Sequence, residues 1–156
     1  MFEKEGLKTR ITSSDAGTLK ALQSDLLMKE ALLELLRLDS FEVGEFLDRT
    51  LEHAVSFTQS HMGFIFFYDE EQKLLNLHSW SHAALEECRI PDRTRIFQLE
   101  KLGLLGEVIR QGKPVILNDY SAAHEKKNGY PEGHVPIRNF ISIPVFHQGK
   151  IVAVCC

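Results

Sequence analysis

The segment that most constrains this chain is its last pair of apolar runs, NFISIPVF and KIVAVCC, separated by HQG over residues 139–156. Ile141, Ile143 and Val145 alternate with Phe140, Ser142, Pro144 and Phe146, the period of two of a β-strand. His147, Gln148 and Gly149 supply a short turn, with glycine where a positive φ is needed. Ile151, Val152, Ala153 and Val154 form a nearly continuous apolar run, as in a strand covered on both faces. A hairpin of this kind is the centre of a sheet and needs further layers from the chain upstream.

The chain has 156 residues, enough for one domain with a real core. A net charge of −4 speaks against nucleic acid as the main partner, because phosphate binding requires a basic surface. No apolar run approaches the ~20 residues of a membrane span, and residues 1–20 contain no apolar stretch of the secretory kind. Cys88, Cys155 and Cys156 are an odd set, two of them adjacent in a strand. They read as reduced, buried thiols, which places the protein in the cytoplasm. No CxxC pair is present to preset a zinc site. His78 and His82 have helical spacing, but His78 lies in a strand pattern, where residues four apart cannot share a metal.

Residues 1–16 are polar and without period, and are expected to form a linker with little order. Residues 17–38 carry a strong helical pattern, with Leu19, Leu22, Leu26, Leu33 and Leu36 on a heptad-like seam interrupted by Lys29, and Asp15 or Ser14 as cap. Leu27, Met28, Leu32 and Leu35 lie off that seam. The helix Thr18–Leu38 is therefore expected to hold a homodimer together. Ser40 is placed to cap a second amphipathic helix reaching about Thr58, with Val43, Leu47, Leu51, Ala54 and Val55 on one face. FIFFYD at 64–69 and LLNLHSWS at 74–81 form a hairpin across the polar turn EEQK. Strict alternation groups Leu75, Leu77 and Ser79 on one face and Asn76, His78 and Trp80 on the other, the second set resembling a cavity rim. Ala83–Cys88 suits a short helix ended by Pro91-Asp92, and Phe97 and Leu99 a short extended piece. Leu102–Gln111 is a helix with Gly112 as its left-handed cap. Val115–Leu117 is a strand. From Asn118-Asp119-Tyr120 to about Ile137 runs a polar, glycine-containing loop, of a length usually functional or mobile. The order predicts an α+β fold, an antiparallel sheet with helices packed on it.

Several of these stretches together resemble a GAF domain, a small-molecule-sensing module related in shape to PAS domains. They are GKPVILND at 112–119, FISIPVF and GKIVAV within 140–154, and GFIFFYDEE at 63–71. The resemblance runs from about Ser40 to Cys156, so residues 39–156 are read as the GAF domain. Such domains usually continue beyond this last strand; the domain is accordingly expected to be truncated at its C-terminus, with the final strand left as an open edge. The NKFDE-type pattern of cyclic-nucleotide GAF domains is missing.

The resemblance implies a ligand between the sheet and the layer covering one face. The cavity is then expected at Asn76, His78 and Trp80, at Leu105 within the 82–106 segment, at Asn118, Asp119 and Tyr120, at His134 in the long loop, and at Phe140 and Ser142. Phe140 and Ser142 would form the floor, with Ile141 and Ile143 turned toward the helices. Asp119 could meet a ligand amine or turn the chain through an Asx hydrogen bond; Arg138 could meet an anion or lie solvated. Cys88 lacks the neighbouring histidine of bilin-attaching GAF domains. Free methionine sulfoxide reductases share this fold and use pocket thiols, but here only Cys88 is suitably placed. The functional expectation is a non-enzymatic sensor domain of a bacterial signalling protein, of histidine kinase (two-component) or cyclic-di-nucleotide enzyme type. It would bind an unidentified small molecule and relay it through the N-terminal helix to an output domain outside this chain, with no membrane or nucleic-acid partner and no known cofactor or metal. The alternative is a ligand-free dimerisation or interaction module, and the less favoured one a reductase.

Overall fold

The computed structural model describes residues 13–37, 42–88, 95–121, 127 and 134–156. Residues 1–12, the corner at Asp39-Ser40 with the Ser40 cap, the break at Pro91-Asp92 and most of the loop between Tyr120 and His134 lie outside this set. The chain divides into two units, residues 1–38 and 39–156.

The first unit is helix α1, Ser13–Leu36, which begins before the expected Thr18 and takes in the end of the expected linker. Leu19, Leu22, Leu26, Leu33 and Leu36, the residues of the heptad-like seam, are all exposed. Lys29, which interrupts the seam, is tied to Asp25 one turn earlier by a 2.6 Å ion pair.

The second unit is built on a six-stranded, fully antiparallel sheet in the order β3-β2-β1-β6-β5-β4. The strands are β1 Phe64–Asp69, β2 Leu74–Trp80, β3 Ile96–Gln98, β4 Val115–Leu117, β5 Phe140–His147 and β6 Lys150–Cys155. Among the described residues three α-helices accompany them: α2 Val43–Thr58, α3 His82–Glu87 and α4 Leu104–Gln111. A 3-10 turn at Leu99–Lys101 precedes α4, so the predicted helix at Leu102 starts two residues later. Gly112 closes α4 in the left-handed region, at φ 61°. Helix α2 ends in a left-handed Gln59, at φ 52°.

The final strand is not an edge. β6 lies between β1 and β5, and Phe64 and Cys156 exchange both backbone hydrogen bonds, at 2.8 and 2.9 Å. The edges of the sheet are β3 and β4. The open edge at Cys156 was expected because such domains usually continue beyond this strand; here β1, from the hairpin β1–β2, pairs with the far side of β6. This central position explains why Ala153 and Val154, adjacent in sequence and pointing to opposite faces, are both buried.

Cross-strand partners share a face, so the register sorts the side chains. Phe66 is opposite Leu77 and Val154, and Tyr68 is opposite Leu75. This face meets α4, and the core forms between them from Phe66, Leu75, Leu77, Leu102, Val108 and Val154. The other face carries Ile65, and α2 covers its β1–β2 end. Ile143 and Val145, on that same face of β5, are exposed, so Ile143 is not turned to a helix among the described residues. Gly63 allows α2 to come close: a Cβ there would stand 2.6 Å from Val55 Cγ2 and 2.8 Å from Leu51 Cδ1.

The β5–β6 turn is tighter than the three residues expected. His147 pairs with Lys150, leaving only Gln148 and Gly149 in the turn, both at positive φ (50° and 79°). This is the primed geometry whose twist matches antiparallel strands. Gly149→Ala should lower stability by roughly 1–2 kcal/mol, because alanine is strained in the left-handed region. Gln148→Asn should raise it by roughly a few tenths, both read from urea denaturation midpoints. Gly63→Ala should cost about 1–3 kcal/mol by overpacking Leu51 and Val55.

Candidate functional site

On the α4 face of the sheet the core is incomplete. A cleft of about 830 Å³ opens there, within the range of small-molecule sites. Its apolar wall comes from Phe64 and Phe66 of β1, Leu77 and Trp80 of β2, and Phe97 of β3. These rings brace one another: Phe64 meets Trp80 edge-on at 5.2 Å, and Phe66 meets Phe97 edge-on at 5.8 Å. Such T-shaped pairs place a ring edge against a ring face and stiffen the wall.

Trp80 reaches this wall because of a break in the β1–β2 register. Ile65 is opposite Ser79, but Phe66 is opposite Leu77, so His78 is an extra residue in β2. A bulge of this kind reverses the alternation beyond it. Trp80 therefore joins Leu75 and Leu77 on the cleft face, where strict alternation had grouped it with Asn76 and His78. Asn76 is opposite Phe67 and points the other way. His78 packs edge-on against Phe67 at 5.0 Å, and its Nδ1 lies 2.9 Å from Ser79 Oγ. Asn76 and His78 are not part of the cleft lining.

The opposite side is formed by the segment leading into β5. His134, Arg138, Asn139 and Phe140 all line the cleft. The His134 ring stands 6.2 Å from Phe64, with its Nδ1 2.8 Å from the carbonyl of Val135. Tyr120 donates its backbone N–H to the carbonyl of Arg138 at 2.7 Å, which ties this segment to the end of β4. Asn118 also lines the cleft, whereas Asp119 and Tyr120 do not. Asp119 Oδ1 accepts from the backbone N–H of Ser121 at 2.9 Å, the Asx turn weighed from the sequence. The Tyr120 ring carries the Lys127 ammonium 4.7 Å from its centre.

Leu105 and Gly103 bring the start of α4 to the cleft. This end is held by Arg110, whose guanidinium donates to the carbonyls of Leu99, Leu102 and Gly103 at 3.1, 2.7 and 3.1 Å. Buried Glu107 anchors Arg110 at 2.6 Å and accepts from Gln111 at 2.9 Å.

Of the expected floor residues, Phe140 lines the cleft and Ser142 is fully buried beside it, its hydroxyl 3.1 Å from Cys156 Sγ. Cys156 itself lines the cleft, and burial pushes its thiol up to about 12, since the thiolate would be desolvated. Cys88 is also raised, chiefly by burial, and its thiol lies 4.0 Å from Met62 Sδ. Cys155 faces the opposite side of the sheet, opposite Ile65, and is raised by burial as well. The described residues hold no cluster of His, Cys, Asp and Glu able to bind a metal.

Sequence reading thus placed Trp80, Leu105, Asn118, His134 and Phe140 at one cavity, and the structure brings these five together. It missed the end of α2 and the stretch up to Met62, which also line the cleft. Nothing local in Thr58–Met62 marks that role; it follows from where α2 delivers the chain.

Among curated proteins, the chain is similar to the methyl sulfide methyltransferase-associated sensor of Methanosarcina acetivorans, 42% identical over 125 residues, which is 80% of this chain. It spans only 12% of that protein's length. Among solved structures, the GAF domain of an Acinetobacter phosphoenolpyruvate-protein phosphotransferase superposes with a TM-score of 0.65 at 18% identity, over 85% of this chain and 74% of that one. The free methionine-R-sulfoxide reductase of Neisseria meningitidis, solved with its substrate, gives 0.64 at 16% identity, over 87% and 72%. At these identities the two structures speak for the fold alone. Residues 42–156 match the GAF domain family, and the chain belongs to it.

Proposed function

We propose that residues 39–156 are the sensory domain of a larger cytoplasmic signalling protein, and that the cleft beside Trp80 binds a small molecule. The observation that carries this reading is the cleft itself: braced aromatic walls, a polar margin, and room for an organic ligand. The similarity to a protein named as a sensor supports the same role. Helix α1 pairs with its counterpart in a homodimer through the exposed leucine seam and carries the response to an output domain of histidine kinase or cyclic-di-nucleotide type. The relay is a population shift, so the ligand must bind two arrangements of the dimer with different affinity.

A second reading, a ligand-free dimerisation module, is favoured by one observation: the exposed seam of α1 is a feature of that helix and requires no occupant of the cleft. Native mass spectrometry separates the two. The sensory reading expects a dimer retaining a small molecule, or taking one up from cell extract; a dimer that stays empty in extract supports the module. Replacing Leu22 and Leu26 together with lysine should convert the dimer to monomer under either reading, because it places charge in the apolar seam. A ligand that leaves hydrogen exchange in α1 and at His134–Asn139 unchanged would overturn the relay.

The thiols fit binding better than catalysis. A reductase needs a reactive thiolate, and burial raises all three cysteines. At pH 8 Cys156 therefore carries far less thiolate than an ordinary thiol. Folded protein treated with iodoacetamide at pH 8 should leave Cys156 unmodified while denatured protein is fully alkylated. Rapid alkylation of Cys156 in the folded state would reopen the enzymatic reading, as would reduction of free methionine sulfoxide abolished by Cys88→Ser.

A further inference from the structure

Among the described residues, the charges around the cleft are one-sided. Among the described residues that line it there is no aspartate or glutamate, although the chain as a whole carries a net charge of −4. The ionisable side chains there, cysteine aside, are His61, His134 and Arg138. His61 is matched by Glu87, 2.8 Å away and outside the lining. Arg138 makes no ion pair among the described residues, and its backbone is fixed by the hydrogen bond from Tyr120.

The start of α4 adds to this field. Gly103 precedes the helix without a side-chain cap, and Gly103 and Leu105 both line the cleft. Uncapped N–H groups at a helix start carry a partial positive charge. The one acid in that helix, Glu107, is neutralised by Arg110 and lies outside the lining.

A cationic ligand would find no counter-charge among the described lining residues, an unfavourable desolvation. Aromatic rings can replace a carboxylate when their faces converge on a cation. Here the rings of the wall are engaged edge-to-face with each other, Phe64 with Trp80 and Phe66 with Phe97. Together they give one side of the cleft an apolar, aromatic lining. We infer that the cleft selects a small molecule with an apolar body and an anionic group, the apolar part against the Phe64–Trp80 wall and the anion at Arg138. Carboxylate and phosphate share this chemistry. The inference rests on the reading that the cleft is a ligand site, and narrows the class of ligand it takes.

The test uses the full chain and a matched set of probes with one ring system: 2-naphthoate, 2-naphthyl phosphate, 2-naphthylmethanol and 2-naphthylmethylammonium. Binding is measured by calorimetry and by perturbation of the indole N–H resonance of Trp80, the one tryptophan in the chain. The expected result is that at least one of the two anions binds about tenfold or more tighter than the ammonium. The better of the two distinguishes a carboxylate ligand from a phosphate. Arg138→Gln should remove most of that preference while leaving the alcohol unaffected. Asn118→Asp, which introduces a carboxylate into the lining, should reverse it. Equal binding of all four probes, or preference for the ammonium, overturns the anionic class and leaves the ligand site standing. If no probe shifts the Trp80 resonance up to about 1 mM, the anionic class is overturned, while the ligand-site reading is decided separately by native mass spectrometry in extract. A preference retained in Arg138→Gln overturns the assignment of the anion to that residue.

Discussion

The domain depends on one backbone pairing between residues far apart in sequence. Phe64 and Cys156 exchange both amide hydrogen bonds, and β1 runs antiparallel to β6 from there. Each half of the sheet is otherwise local: β1–β2–β3 on one side, β4–β5–β6 on the other. Only the β1–β6 seam joins them. It sets Phe66 opposite Val154, continues the core beneath α4, and brings Trp80 and Phe140, on separate halves, to the margins of one cleft. Long-range pairing of this kind carries a large loop-closure entropy, so it forms only because apolar surface on both faces is buried with it.

Within that frame, small irregularities position the cleft. The bulge at His78 turns Trp80 to the side of Phe64 and leaves His78 against Phe67 on the reverse face. Arg110 binds three carbonyls before α4 and holds the start of that helix at the cleft edge. Ser142 fills a fully buried position beside Cys156, where the two side chains satisfy each other. Both residues are polar in type, yet they serve the interior. Burial makes Cys156 a weakly acidic thiol and a poor nucleophile.

Membership of the GAF domain family accounts for the fold. The structures it resembles include both the GAF domain of a phosphotransferase and a reductase, so the architecture by itself does not separate binding from catalysis. What differs lies in side chains: burial raises all three thiols, and among the described residues the cleft lining carries no carboxylate. No helix among the described residues is long and apolar enough to cross a membrane.

The sequence by itself determined the elements. Leucine spacing specified α1, the FIFFYD and LLNLHSW runs specified a hairpin, and Gly112 marked the end of α4, because these signals are local and act within one or two turns of chain. It also reached Trp80, Leu105, Asn118, His134 and Phe140 through resemblance to a known fold. It did not determine which strand lies at the centre. β6 was expected to be an open edge because the resembled fold usually continues beyond it, and nothing in KIVAVCC names β1 as its second neighbour. Nor did alternation reveal the bulge at His78, because one extra residue leaves the pattern of residue types unchanged while reversing every face beyond it. Strand order, register and the contribution of Thr58–Met62 to the cleft were decided by tertiary pairing, which depends on distant partners that no single stretch of sequence encodes.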